Sequence, residues 1–160
     1  MPWGKLFRRN FIVDNRIKFR DVPFTADLVF WYKCLCLAKK YLRVPNVTNI
    51  YRRGRPSASS RIVSSAEGVK LWLNVLTKNI SAIDEFNGGL AFFKSNPDCR
   101  RDVLKFFVDK HFGMIENLFQ GLAPYEVQKI LYDELQTPAL DSNGKNLVAA
   151  YLYTERALAK

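Results

Sequence analysis

The sequence predicts an α+β chain that is mostly α. Short mixed strands around one buried helix are expected over residues 1–61, and a helical bundle over residues 62–160. Three observations carry this. Apolar residues recur at three- and four-residue spacing through the second part, as in helices packed along one face. The first part alternates apolar and basic residues over short, turn-bounded runs, as half-buried strands do. Charge divides at the same place: residues 1–61 hold 14 Lys and Arg against Asp14, Asp21 and Asp27, a formal charge of +11, whereas residues 62–160 sum to −1.

At 160 residues, 48% apolar and 14% aromatic, the chain suits one domain or a large piece of a larger one, and is too apolar for disorder. In element order, Phe11-Ile-Val reads as the end of a short helix that turns at Asp14-Asn-Arg. Ile17-Lys-Phe-Arg reads as a strand closed by Pro23. Thr25 is a candidate N-cap for a helix from Ala26 to Lys40, apolar on most sides through Leu28, Val29, Phe30, Trp31, Leu35 and Leu37 and so expected to be buried. Tyr41-Leu-Arg-Val and Val47-Thr-Asn-Ile-Tyr-Arg flank a turn at Pro45-Asn46 as two further short strands.

In the second part, Ser64-Ser-Ala-Glu67 is a capping-box signature opening a helix to Phe86, with Val69, Trp72, Leu73, Leu76, Ile80 and Ile83 on its packed face. Asn87-Gly-Gly is expected to break it. Asn96-Pro97 opens a second helix to Phe119, whose face is read as Val103, Phe106, Phe107, Phe112, Ile115 and Phe119. Pro124 opens a third to Gln136, and Gly144 sets off a last helix from Lys145 to Leu158.

Three cysteines make an odd set without zinc-type spacing, and Cys34-Leu-Cys36 is expected to pack as small hydrophobes, which suits a reduced, cytosolic setting. No secretory leader is expected. The longest apolar run, Leu28 to Ala38, is interrupted by Lys33 and is short of the roughly 20 residues a membrane span needs. The chain is expected to be soluble, or held at a membrane surface.

A concentrated positive field points to an anionic ligand, because it raises the local anion concentration. Asp27 has two readings. An acid in the first turn of a helix is favoured by the helix dipole by about 0.3–1 kcal/mol, without any chemistry. The same carboxylate at a cleft can serve as general base for an attacking hydroxyl. Arg52, Arg53, Arg55 and Arg61, beside Ser57, Ser59 and Ser60, make either a solvated loop or a phosphate-gripping one, since guanidinium groups bind phosphate bidentately. Trp3 and Lys5 are either the edge of a site or an anchored terminus. His111, the only histidine, lacks a second ligand at metal spacing and reads as a structural or surface residue. There is no glycine-rich phosphate loop, no Ser-His-Asp set and no Asp-x-Asp pair.

Three motifs in register give the first sixty residues a family likeness. Pro2-Trp3-Gly4-Lys5-Leu6-Phe7-Arg8-Arg9, Phe24-Thr25-Ala26-Asp27-Leu28-Val29-Phe30 and Tyr51-Arg52-Arg53-Gly54-Arg55-Pro56-Ser57 occur in order. Together they resemble the C-terminal part of bacterial family 2 glycosyltransferases of the GT-A fold. Ala26 stands where the family has Glu, and Gly54 is an insertion relative to its Tyr-Arg-x-Arg pattern.

The resemblance implies inverting transfer of a sugar from a nucleotide-sugar to an acceptor hydroxyl, of the cell-surface polysaccharide type. It implies Asp27 as base, the arginines, Trp3 and Lys5 as substrate contacts, and a saccharide acceptor as partner. It further implies a divalent metal (Mg or Mn) held in a nucleotide-binding half that these residues do not contain, so that residues 1–61 are the acceptor-side end of a catalytic domain and the isolated chain is expected to be inactive. The alternative is a basic helical module on nucleic acid or on an anionic membrane surface. No nucleic-acid motif is present, which disfavours the first of these. The membrane surface is compatible with a transferase working at the inner face of the cell membrane.

Overall fold

The computed structural model describes residues 5–42, 64–113, 115 and 119–155. The chain divides into two units, Met1–Ser59 and Ser60–Lys160. Among the described residues, helices are the only regular elements and no strand forms.

In the first unit, helix α1 spans Arg9–Asp14 and helix α2 spans Ala26–Leu37. α1 ends in a Schellman turn. Arg16 N–H donates to the Val13 carbonyl and Ile17 N–H to the Ile12 carbonyl, both at 3.0 Å. Arg16 takes the left-handed backbone (φ 51°) where glycine is usual. The turn seats Ile17 against the core it shares with Phe30 and Cys34, bordered by Phe7, Phe11, Ile12 and Leu37.

The strand expected over Ile17–Arg20 is therefore corrected. Ile17 faces inward to complete the turn, and Phe19 stacks on Phe30 at 4.1 Å between ring centroids. The alternation reports which side chains meet α2, and among the described residues no second segment pairs with this backbone. The other two expected strands fall mostly at residues 43–52, outside the described residues.

Two expectations for α2 also change. Thr25 holds the N-cap position, yet its backbone is left-handed (φ 52°, ψ 22°) and its side chain makes no cap hydrogen bond. The helix ends at Leu37 rather than Lys40, because Ala38 turns to extended backbone. Val29, Phe30, Tyr32 and Cys34 are buried, but Leu35 is exposed and Trp31 only half-buried. A helix apolar all round needs neighbours all round, and α1 with its following turn covers only part of it.

The second unit is built on helix α3 (Ala66–Gly89), which packs against α4 (Ala91–Ser95), α5 (Pro97–Phe112), α6 (Pro124–Gln136) and α7 (Ser142–Glu155). At 24 residues α3 is about 36 Å long. Its N-cap is Ser65, whose Oγ accepts from Gly68 N–H at 3.1 Å. Ser64 instead accepts from the Gly121 N–H at 2.9 Å, tying the helix start to the turn before α6. Asn87-Gly-Gly does not break the helix but forms its last turn.

Trp72, Leu73, Leu76, Ile80 and Ile83 are fully buried along α3. Trp72 meets Phe112 edge-to-face at 5.1 Å, a geometry favoured by the ring quadrupoles. Arg100 Nε donates to Asp84 Oδ1 at 2.7 Å, and Asn143 Nδ2 to Asp84 Oδ2 at 3.3 Å, so one carboxylate joins α3, α5 and α7. Gly144 lies inside α7 and is buried against α3, where a Cβ would overlap the Thr77 carbonyl. It marks a close helix crossing rather than the break its residue type suggested.

Helix α5 stops at Phe112, seven residues short of the expected Phe119, with Gly113 at its C-cap. Its buried stripe is Leu104, Phe107, Val108, His111 and Phe112, whereas Phe106 is 58% exposed. Glu126 Oε2 accepts from Ala123 N–H at 2.9 Å to close the first turn of α6, which keeps its expected bounds. No helix of the described residues is long and apolar enough to cross a membrane.

Candidate functional site around Asp27

The left-handed Thr25 sets the direction in which α2 starts, and Leu28 N–H closes the first turn on the Thr25 carbonyl at 2.9 Å. A β-branched residue in this backbone region is strained by about 1–3 kcal/mol, and such strain is found where surrounding structure fixes it. Asp27 follows in that first turn, half-buried. Nine Lys and Arg fall within residues 5–42, yet no described side chain pairs with the Asp27 carboxylate.

Trp31 comes one helical turn later, so indole and carboxylate share a face of α2. Lys5 Nζ lies 5.7 Å from the centre of the Trp31 ring, a cation–π contact of about 0.5–1 kcal/mol at a half-exposed position. Of the residues expected at a site, the structure thus brings Lys5 onto the helix that carries Asp27. Trp3, Arg52, Arg53 and Arg55 lie outside the described residues.

Sequence reasoning missed Trp31, which was counted only as part of an apolar run. Its spacing from Asp27 was the available signal. A groove of about 420 Å³ in this unit is lined by Ile12, Val13, Arg16, Ile17 and Lys18, and Asp27 is not among its walls.

The arrangement offers one acceptor for a proton and one cation a turn away from it. An unpaired carboxylate at the water boundary can take a proton from a hydroxyl placed within hydrogen-bond reach. Among the described residues, no group of three His, Cys, Asp or Glu side chains could hold a metal ion. A single carboxylate at Asp27 does not fit a divalent ion that asks for several oxygen ligands.

The thiols offer little. Burial raises the Cys34 pKa, and burial also raises that of Cys36 despite a hydrogen bond with Tyr32 that lowers it, so both are held as thiols rather than as nucleophilic thiolates. Cys34 packs in the first unit's core, while Cys36 is an exposed residue whose thiol is nonetheless partly desolvated by its neighbours.

His111 is a core residue. It is 5% exposed, and its Nδ1 donates to the Phe107 carbonyl at 2.6 Å. Burial holds its pKa below the usual imidazole range, with Lys110 adding to that and the Phe107 bond partly opposing it.

No protein-family model, curated protein or solved structure matches this chain.

Proposed function

We propose that residues 1–61 act as the acceptor-side end of an inverting glycosyltransferase, with Asp27 as general base. The observation that carries the reading is the Asp27 carboxylate itself: half-buried at the head of α2, in a strongly cationic segment, and paired with none of the described cations. An acid serving only stability would gain most from a neighbouring guanidinium or ammonium. One left unpaired stays available to a substrate hydroxyl.

On this reading the acceptor alcohol sits on the Asp27 face of α2 and gives its proton to a carboxylate oxygen as its own oxygen attacks the sugar's anomeric carbon. The nucleoside diphosphate leaves from the opposite side with the electrons of the broken anomeric C–O bond, which inverts the centre. Lys5 offers its charge to an anionic group of the acceptor or donor. The nucleotide-binding half and its divalent metal are supplied from outside these 160 residues.

The test is Asp27→Asn in a polypeptide that joins this chain to its nucleotide-binding half. Sugar transfer should fall about 10²–10⁴-fold, the usual contribution of a positioned base, with circular dichroism and melting temperature unchanged. Transfer at a near-normal rate would remove Asp27 from the chemistry.

A further inference from the structure

The Schellman turn that ends α1 gathers Ile12, Val13, Arg16, Ile17 and Lys18 around the groove of about 420 Å³. Ile12 and Ile17 also belong to the packed core of the first unit, so the groove has an aliphatic floor backed by fixed side chains. Val13, 54% exposed, extends that floor into solvent. Arg16 and Lys18 are exposed at its rim, and no described residue engages either side-chain charge. Asp14 and Asp21 are exposed nearby in sequence, and neither lines the groove.

Arginine at position 16 is itself informative. Its left-handed backbone would suit glycine better, so this side chain is carried at a conformational cost.

We propose that this groove is an interfacial site for an anionic phospholipid bilayer. Arg16 and Lys18 take lipid phosphates, while Val13 and the exposed edge of Ile12, backed by the buried Ile17, meet the upper part of the acyl region. Two features select this occupant. A nucleic acid would answer the charges but stack its bases on aromatic faces, and this floor is aliphatic. A free phosphate would answer the charges and leave the floor in water. A bilayer surface satisfies both, and the exposed Arg8, Arg9, Lys39 and Lys40 of the same unit add to the attraction toward anionic headgroups. The proposal rests on the charge and shape of the first unit and is independent of the transferase reading.

The full chain is tested by co-sedimentation with phosphatidylcholine vesicles, alone or mixed with phosphatidylglycerol. Binding should require the anionic lipid and weaken as salt is raised. The pair Arg16→Glu and Lys18→Glu should bind at least about tenfold more weakly. Val13→Asp should also bind more weakly. Arg16→Gly, which suits the turn, should lose part of the binding with an unchanged circular dichroism spectrum, separating lost charge from lost fold. Asp27→Asn should bind like the parent chain, whatever the outcome for sugar transfer.

Equal binding to neutral vesicles, no binding to either kind, or indifference to the double charge reversal would overturn the proposal. So would full displacement by inorganic phosphate, which would reassign the groove to a free anion. Salt-dependent retention on nucleic acid without vesicle binding would reassign the cations as well.

Discussion

The two units use their side chains in opposite ways. In the second, α3 buries an unbroken series of large side chains, and Asp84, Lys70 and Glu134 are drawn into ion pairs across helices. In the described part of the first, the buried apolar residues are fewer: Ile17, Phe24, Val29, Phe30, Tyr32 and Cys34. Leu6 and Leu42 stand in solvent at 101% and 84% exposure, and no ion pair joins the described residues there. Among the described residues, the two left-handed non-glycine residues, Arg16 and Thr25, fall in this unit. The contrast lies in charge and backbone rather than in apolar exposure, since the second unit also leaves Phe92 and Phe106 in solvent while its carboxylates Asp84 and Glu134 pair across helices.

The sharpest way to break this contrast is to truncate the central aromatic of each core. Trp72 is 2% exposed between α3 and α5, so Trp72→Ala should cost about 3–5 kcal/mol in denaturant unfolding. Phe30→Ala opens a core with fewer buried neighbours that can collapse more freely, and should cost about 1–2 kcal/mol. Equal losses would mean that the first unit is packed as firmly as the second.

The next test concerns how closely α7 approaches α3. Gly144→Ala places a methyl group where the Thr77 carbonyl already lies. Overpacking of this kind costs about 1–3 kcal/mol, against the gain in helix propensity that alanine brings at an open site. Unfolding of Gly144→Ala should therefore occur at lower denaturant, and a rise in stability would place α7 farther from α3.

Much of the second unit was legible because its signals are local. Pro124 fixed the start of α6 and the periodic apolar residues its length. Where the sequence misled, the cause was a residue type with two physical meanings. Gly144 and Gly88-Gly89 were read as breaks, yet one permits a helix crossing and the others end α3 without interrupting it. On α5, counting aromatics overrode helical phase: Phe106 lies about 100° round from Phe107, so the stripe through Leu104, Phe107, Val108, His111 and Phe112 is the one that packs. In the first unit, Asp27 could be found from its place after a turn. Trp31 was legible from its four-residue spacing to Asp27, whereas the groove at Arg16 was not, because it depends on a left-handed residue that no propensity favours.

His111 offers a pH test confined to the second unit. Burial depresses its folded pKa below the unfolded value of about 6.5, so the unfolded chain binds the proton first. The stability contributed by the neutral imidazole is fully present above about pH 6.5 and is lost as pH falls from there toward the folded pKa. Urea midpoints should therefore drop as pH is lowered through this window. In His111→Gln that part of the slope should vanish, and a slope left unchanged would assign it to the carboxylates instead.

The smallest expected effect bears most directly on the first unit, because it asks whether strain is stored there. Arg16 and Thr25 hold left-handed backbone that costs a non-glycine residue about 1–2 kcal/mol, part of which glycine returns as lost freedom on folding. Arg16→Gly and Thr25→Gly should each stabilise the chain by about 0.5–1 kcal/mol in urea unfolding. Glycine at a helix interior position would destabilise by a similar amount, so the sign alone decides. A gain at both sites, with vesicle binding weakened only by the first, would show that the turn after α1 retains arginine for its charge and not for the fold.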